Sequence, residues 1–216
     1  MFPDVKINGI SLLSLGWLRE SVSFPVPKSQ TNTIVVPGRN SPIRYTEALG
    51  TVSYQPRSFS ITLTMLGTRA RFDQLVSSVV NRYAGQLCEV STSEEPDLYC
   101  VGTLQAESSY TPLTGKGQLV LSCEDGDSYR YHVGETQFVQ VGSGTVRLNN
   151  DFMPVVPKIT TTAETALSWK VGTDTFRKTL SAGTWEIPEL ELAEGTNSVS
   201  VSGSGTTTFR YREGRL

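Results

Sequence analysis

Few residues in this 216-residue chain could do chemistry, and their spacing limits what that chemistry could be. The thiols are Cys88, Cys100 and Cys123, an odd number with no CxxC pair. That spacing fits neither a disulfide framework nor a thiolate metal site. Cysteine packs as a small hydrophobe, so all three read as buried strand residues. The single histidine, His132, lies in Tyr129-Arg130-Tyr131-His132, with no GxSxG elbow anywhere to supply a nucleophile for it. Two acidic turns stand out. Glu94-Glu95-Pro96-Asp97 has no spacing that makes a general acid/base pair. Cys123-Glu124-Asp125-Gly126-Asp127-Ser128 resembles part of a calcium loop but lacks the 12-residue register and the terminal glutamate. Val36-Pro37-Gly38-Arg39-Asn40 is a turn after a β-branched run. It lacks the Lys and Ser/Thr of a phosphate loop. Its lone guanidinium suits a carboxylate across a subunit interface, so Pro37, Gly38 and Arg39 are candidate interface residues, with a turn contact inside the chain as the equal alternative. Trp169, Trp185 and Tyr211 are candidate glycan-contact aromatics, with the core as their commoner fate. No catalytic, metal or cofactor-binding residues are assigned.

The elements that position these residues read mostly as strands. Phe72, Leu75, Val76, Val79, Val80 and Tyr83 recur at helical period, which predicts one helix over 69–84. Thr68 reads as its N-cap and Gly85 as its C′ residue, with Asp73 in the first turn and Arg82 in the last. Ser58–Met65 alternates polar and apolar, and Leu98–Leu104, Gly117–Cys123, Asn197–Ser202 and Thr206–Tyr211 read as further strands. Gly203-Ser204-Gly205 reads as a hairpin turn between the last two. Gly142-Ser143-Gly144 marks a flexible boundary near 134–142. Two domains are therefore expected, 1–136 and 137–216.

Charge narrows the partners. Nineteen Lys+Arg against 21 Asp+Glu gives a net −2, which does not favour a phosphate-gripping surface. No apolar run approaches the length of a membrane span, and Met1–Lys6 lacks the basic and apolar order of a secretory signal.

The order of several segments resembles the distal tail proteins (Dit) of siphophages and prophages. These are the Asn8-Gly9 turn, strands with Trp17 and Glu20, and Ile34–Asn40 with its Pro-Gly-Arg turn. The 57–66 strand and a helix ending Tyr83-Ala84-Gly85 follow, then Asp97–Gly102 and Leu119–Asp125 with Tyr129. Trp185–Leu190 and Glu194–Gly203 extend the resemblance nearly to the end of the chain. Gly126-Asp127 departs from the family's Asp-Pro. The resemblance implies a mainly β fold: an N-terminal β-sandwich with one α-helix and a β-hairpin or belt extension, then a small galectin-like β-sandwich. It implies a non-enzymatic, cofactor-free homohexameric ring at the tail tip or baseplate of a virion, assembled in the host cytoplasm. Expected partners are further copies of the chain, the major tail tube protein, the tail-associated hub protein and receptor-binding parts or a host-surface glycan. No membrane partner is expected, and DNA would pass through the ring without specific binding. A carbohydrate-binding module of a host-adhesion protein is the rival reading, and a tail-tip hydrolase is a weaker one.

Overall fold

The computed structural model describes residues 2–44 and 52–216. They fold mainly as antiparallel β-sheet with one α-helix, in two compact units, 1–130 and 131–216.

In the first unit, β1 (Val5–Ile7) and β2 (Ile10–Ser11) are joined by the Asn8-Gly9 turn. β3 (Leu18–Ser23), β4 (Thr33–Ile34), β5 (Ile43–Arg44) and β6 (Arg57–Leu66) lead to α1 (Arg69–Tyr83). β7 (Leu87–Thr92), β8 (Leu98–Thr103), β9 (Gln105–Thr111) and β10 (Lys116–Gly126) follow. One sheet carries β2-β1-β7-β8, a second β3-β6-β10-β9, and β4-β5 is a separate hairpin. Strict alternation places Phe59, Ile61, Leu63 and Met65 of β6 on the same buried face as Leu119, Leu121 and Cys123 of β10. They share one core with Ile7, Val90 and Cys100 of the other sheet.

The helix lies where the 3.6-residue pattern places it. Thr68 Oγ1 accepts from the Arg71 amide at 3.3 Å, the expected N-cap. Phe72, Val79 and Tyr83 are buried, whereas Leu75, Val76 and Val80 are half-buried at the margin of the stripe. Asp73 is not in the first turn. It lies one residue beyond, where Arg69 Nε donates to it at 2.9 Å across one helical turn.

In the second unit, β11 (Arg130–His132) starts at the division and pairs with β20 (Gly214–Arg215). β12 (Thr136–Val141), β19 (Thr206–Tyr211), β14 (Lys158–Thr161) and β17 (Gly183–Glu186) form one sheet in that order. β13 (Gly144–Asn150), β18 (Gly195–Gly203), β15 (Thr165–Val171) and β16 (Asp174–Leu180) form the other. Their inward side chains, among them Leu148, Leu167, Trp169, Val199, Ile159 and Phe209, make a single core, which is a β-sandwich.

Two glycine-rich segments differ from their sequence reading. Gly203-Ser204-Gly205 is not a hairpin, because β18 and β19 belong to different sheets. The segment instead passes close to the 162–165 backbone. A Cβ on Gly203 would lie 2.8 Å from the Glu164 carbonyl oxygen, and one on Gly205 2.7 Å from Thr162 Oγ1. Steric room, not turn geometry, selects glycine there. Gly142-Ser143-Gly144 joins β12 to β13 inside the second unit and is tied down: the Gly142 amide donates to Gly205 O at 2.8 Å, and the Gly203 amide to Ser143 Oγ at 3.1 Å.

Candidate functional site

The thiols are placed against nucleophilic work. Cys88, Cys100 and Cys123 are all buried and free. Burial pushes Cys100 up to about 11 and Cys123 up to about 12, and raises Cys88, so each stays protonated near neutrality. His132 Nε2 meets Asp151 Oδ2 at 3.0 Å, and none of its described hydrogen bonds reaches a Ser or Cys side chain. Among the described residues no group of three or more His, Cys, Asp or Glu is arranged to hold a metal ion.

Both acidic turns are engaged within the chain. Arg19 clamps Glu94 through both guanidinium nitrogens, one at 2.6 Å. This holds the Glu94 carboxyl at about 2, well below its ordinary value. Arg130 forks onto Glu95 in the same way, with one bond at 3.2 Å. In the second turn, Asp125 Oδ1 accepts from the Thr103 amide at 2.9 Å and from the Cys123 thiol at 3.3 Å. It caps a register shift of β10 against β6 between Cys123 and Gly126.

The Pro37-Gly38-Arg39 turn is a surface element. The Arg39 amide donates to Val36 O at 3.1 Å, with Pro37 and Gly38 between them and Gly38 at φ +82. Proline first and a positive-φ glycine second is the pattern of a type II turn. The turn lies in the 35–42 loop of the β4–β5 hairpin, where Thr33 pairs with Arg44 and Ile34 with Ile43. A second antiparallel contact at its base joins Gln30 N to Ser53 O and Gln55 N to Lys28 O, each at 2.8 Å. This arm exposes apolar surface: Val26 is 72% exposed, Ile34 52% and Val35 79%. Arg39 is also exposed and has no ion pair among the described residues. The composition of 25–44 signals loops and edges, but not that its valines and Ile34 stay outside a core. Proline punctuation was the only hint.

The three candidate aromatics do not share a surface. Trp169 is buried, stacks on Phe176 with ring centroids 5.8 Å apart, and donates Nε1–H to Glu189 O at 2.9 Å. Tyr211 is buried, stacks on Phe138 and bonds the Asn149 carbonyl; burial raises its phenol far above the ordinary value. Trp185 alone is exposed, its Nε1–H on Ser181 O at 2.9 Å. They therefore make no stacking platform, and the core reading describes Trp169 and Tyr211.

No protein-family profile and no curated protein matches the chain. Among solved structures it is similar to the Dit protein of phage SPP1, described as a paradigm of the hub adsorption apparatus in phages infecting Gram-positive bacteria. The match has a TM-score of 0.69, 14% identity, and covers 100% of both chains. The resemblance read from motif order is thus met in three dimensions: the chain has the fold of a phage distal tail protein, from its first strand to its last.

Proposed function

We propose that the protein is a structural component of a phage tail tip, a ring-shaped adaptor joining the tail tube to the tail hub and to receptor-binding parts. The observation that carries this reading is the end-to-end match of fold with SPP1 Dit. The exposed arm supports it. Monomeric proteins seldom leave several large aliphatic side chains of one projecting hairpin in water unless a partner covers them. A head-to-tail contact repeated about an axis closes into a ring with two different faces, which an adaptor between two unlike structures needs. In this reading residues 1–136 make the ring, through the arm and the Pro37-Gly38-Arg39 turn, and residues 137–216 form an outward galectin-like domain. Function then arises from assembly at the tail tip, without turnover.

The test is the mass of the full chain in solution. Six copies of the 23.6 kDa chain are expected, or a rise toward that mass with concentration. A monomer at every concentration would sink the ring. Within the ring reading, Arg39→Ala should shift assembly to higher concentration while leaving the fold unchanged. Unaltered assembly would remove Arg39 from the interface.

A further inference from the structure

The outward face of the β13-β18-β15-β16 sheet has a composition unlike the rest of the molecule. Inward positions of these strands hold Val146, Leu148, Leu167, Trp169, Val199 and Val201. Alternation puts every other residue outside. One row across the sheet reads Thr145, Ser200, Ser168, Arg177, and the adjoining positions hold Arg147 opposite Ser198 and Lys170 opposite Thr175. No outward position in these rows is acidic or aromatic. Arg147, Lys170 and Arg177 form no salt bridge among the described residues, and the hydroxyls of Thr145, Ser168, Ser198 and Ser200 make no hydrogen bond there.

The face is hollowed. Two depressions of about 390 and 400 Å³ share Ser168 and Ser200. Their charged lining is Lys170, Arg177 and Lys178 against the single carboxylate Glu191. A protein with net charge −2 has thus gathered unpaired cations among free hydroxyls on one concave sheet face.

We propose that this face binds a polyanionic chain of hydroxylated units linked by phosphodiesters. Charge complementarity requires an anion. The free hydroxyls require a ligand rich in donors and acceptors. Neutral sugars and single-stranded nucleic acids are both held largely by stacking on aromatic rings, which these rows lack; Trp169, which lines the first depression, is buried and stacked on Phe176. Arg177 is diagonal to Lys170 across one strand pair, about 7–8 Å away, and Arg147 lies two strands from Lys170, about 10 Å away. Cations at such steps suit a chain whose charge recurs with every short unit. Arg147 and Arg177 would fork onto phosphate oxygens, with the Ser and Thr hydroxyls between them engaging the polyol. This inference does not depend on ring formation.

The full-length protein should be titrated with poly(glycerol phosphate), neutral dextran and oligodeoxythymidine. Binding of the first, weakening as salt rises and exceeding the other two, is expected. The variant R147S/K170S/R177S should bind about tenfold more weakly or less and show a flatter salt dependence, because three phosphate contacts are lost. All three residues lie on the outer face, and an unchanged circular dichroism spectrum and unfolding midpoint would show that the variant is folded. Lys158→Ser, on the other sheet, should leave binding unchanged. No binding of poly(glycerol phosphate), equal binding of dextran, tighter binding of the oligonucleotide, or a folded triple variant with wild-type affinity would each overturn the proposal.

Discussion

The two units solve the same problem, burying alternating strands, with different surfaces. The first puts an α-helix beside its sheets and leaves valine and isoleucine side chains exposed on an arm. The second has no helix among its described residues, buries Trp169, Phe209 and Tyr211, and turns serine, threonine and cations outward from one sheet. Burial of apolar area is the dominant drive to association, so in the proposed ring the arm's aliphatic side chains are what a neighbouring protein would cover. The second unit also exposes Val139 and Val141 on β12, but the outer face of its β13-β18-β15-β16 sheet is polar and cationic. A chain of one overall composition thus differs between its units in the groups it leaves uncovered.

The sharpest break in that comparison is Trp169→Ala. The substitution removes the ring that stacks on Phe176 and frees the Glu189 carbonyl. A loss of about 3–5 kcal/mol is expected for a buried tryptophan. Hydrogen exchange should show the loss within 131–216, with the 1–130 strands still protected. An equal loss in both units would mean that they unfold as one.

The matching break in the first unit is Gly117→Ala. A Cβ there would lie 2.2 Å from Phe72 Cδ2, because the helix sits directly on β10 at this glycine. Overpacking of this kind costs about 1–3 kcal/mol. The helix amides should lose protection first. If stability is unchanged, the helix can shift outward freely, and its buried Phe72 and Val79 do not fix its position.

What could be read from the residues follows from this division. The helix and the strands at 57–66, 98–103 and 116–126 were legible because each carries a periodic apolar pattern long enough to choose one period. β1, β2, β4 and β5 are two or three residues long, below the length at which alternation says anything. The 203–205 segment misled because a glycine needed for close approach and a glycine needed for a hairpin look alike in sequence. The outer face of β13-β18-β15-β16 was hidden for a different reason. Its Ser and Thr looked like generic surface until register placed Ser168, Ser200 and Arg177 side by side. The Pro-Gly-Arg turn was visible as a turn, while its seat on an exposed arm depends on the pairing of Thr33 with Arg44, Ile34 with Ile43 and Ser29 with Tyr54.

Acid offers the mildest probe, and it too should separate the units. Glu20, Glu94 and Asp125, all in the first unit, have carboxyls below their ordinary values. For Glu94 the main cause is the hydrogen bond from Arg19, which favours the charged form and holds it at about 2 against an ordinary 4.5. A depressed carboxyl means that the unfolded chain binds the proton more readily. Stability from this pair is therefore complete above pH 4.5 and fades as pH falls toward 2. Glu94 is half exposed, so solvent screens the pair and its contribution is about 0.2–1 kcal/mol. Glu94→Gln should lower stability by that amount at pH 7, less at pH 3, and hardly at all at pH 2. High salt should shrink the difference at neutral pH. Exchange measured along the same titration should show the 1–130 strands loosening in acid as the Arg19–Glu94 clamp is lost. A Glu94→Gln penalty that stays constant from pH 7 to pH 2 would mean that the side chain acts there by packing, and that the clamp on the acidic turn contributes no charge-dependent stability.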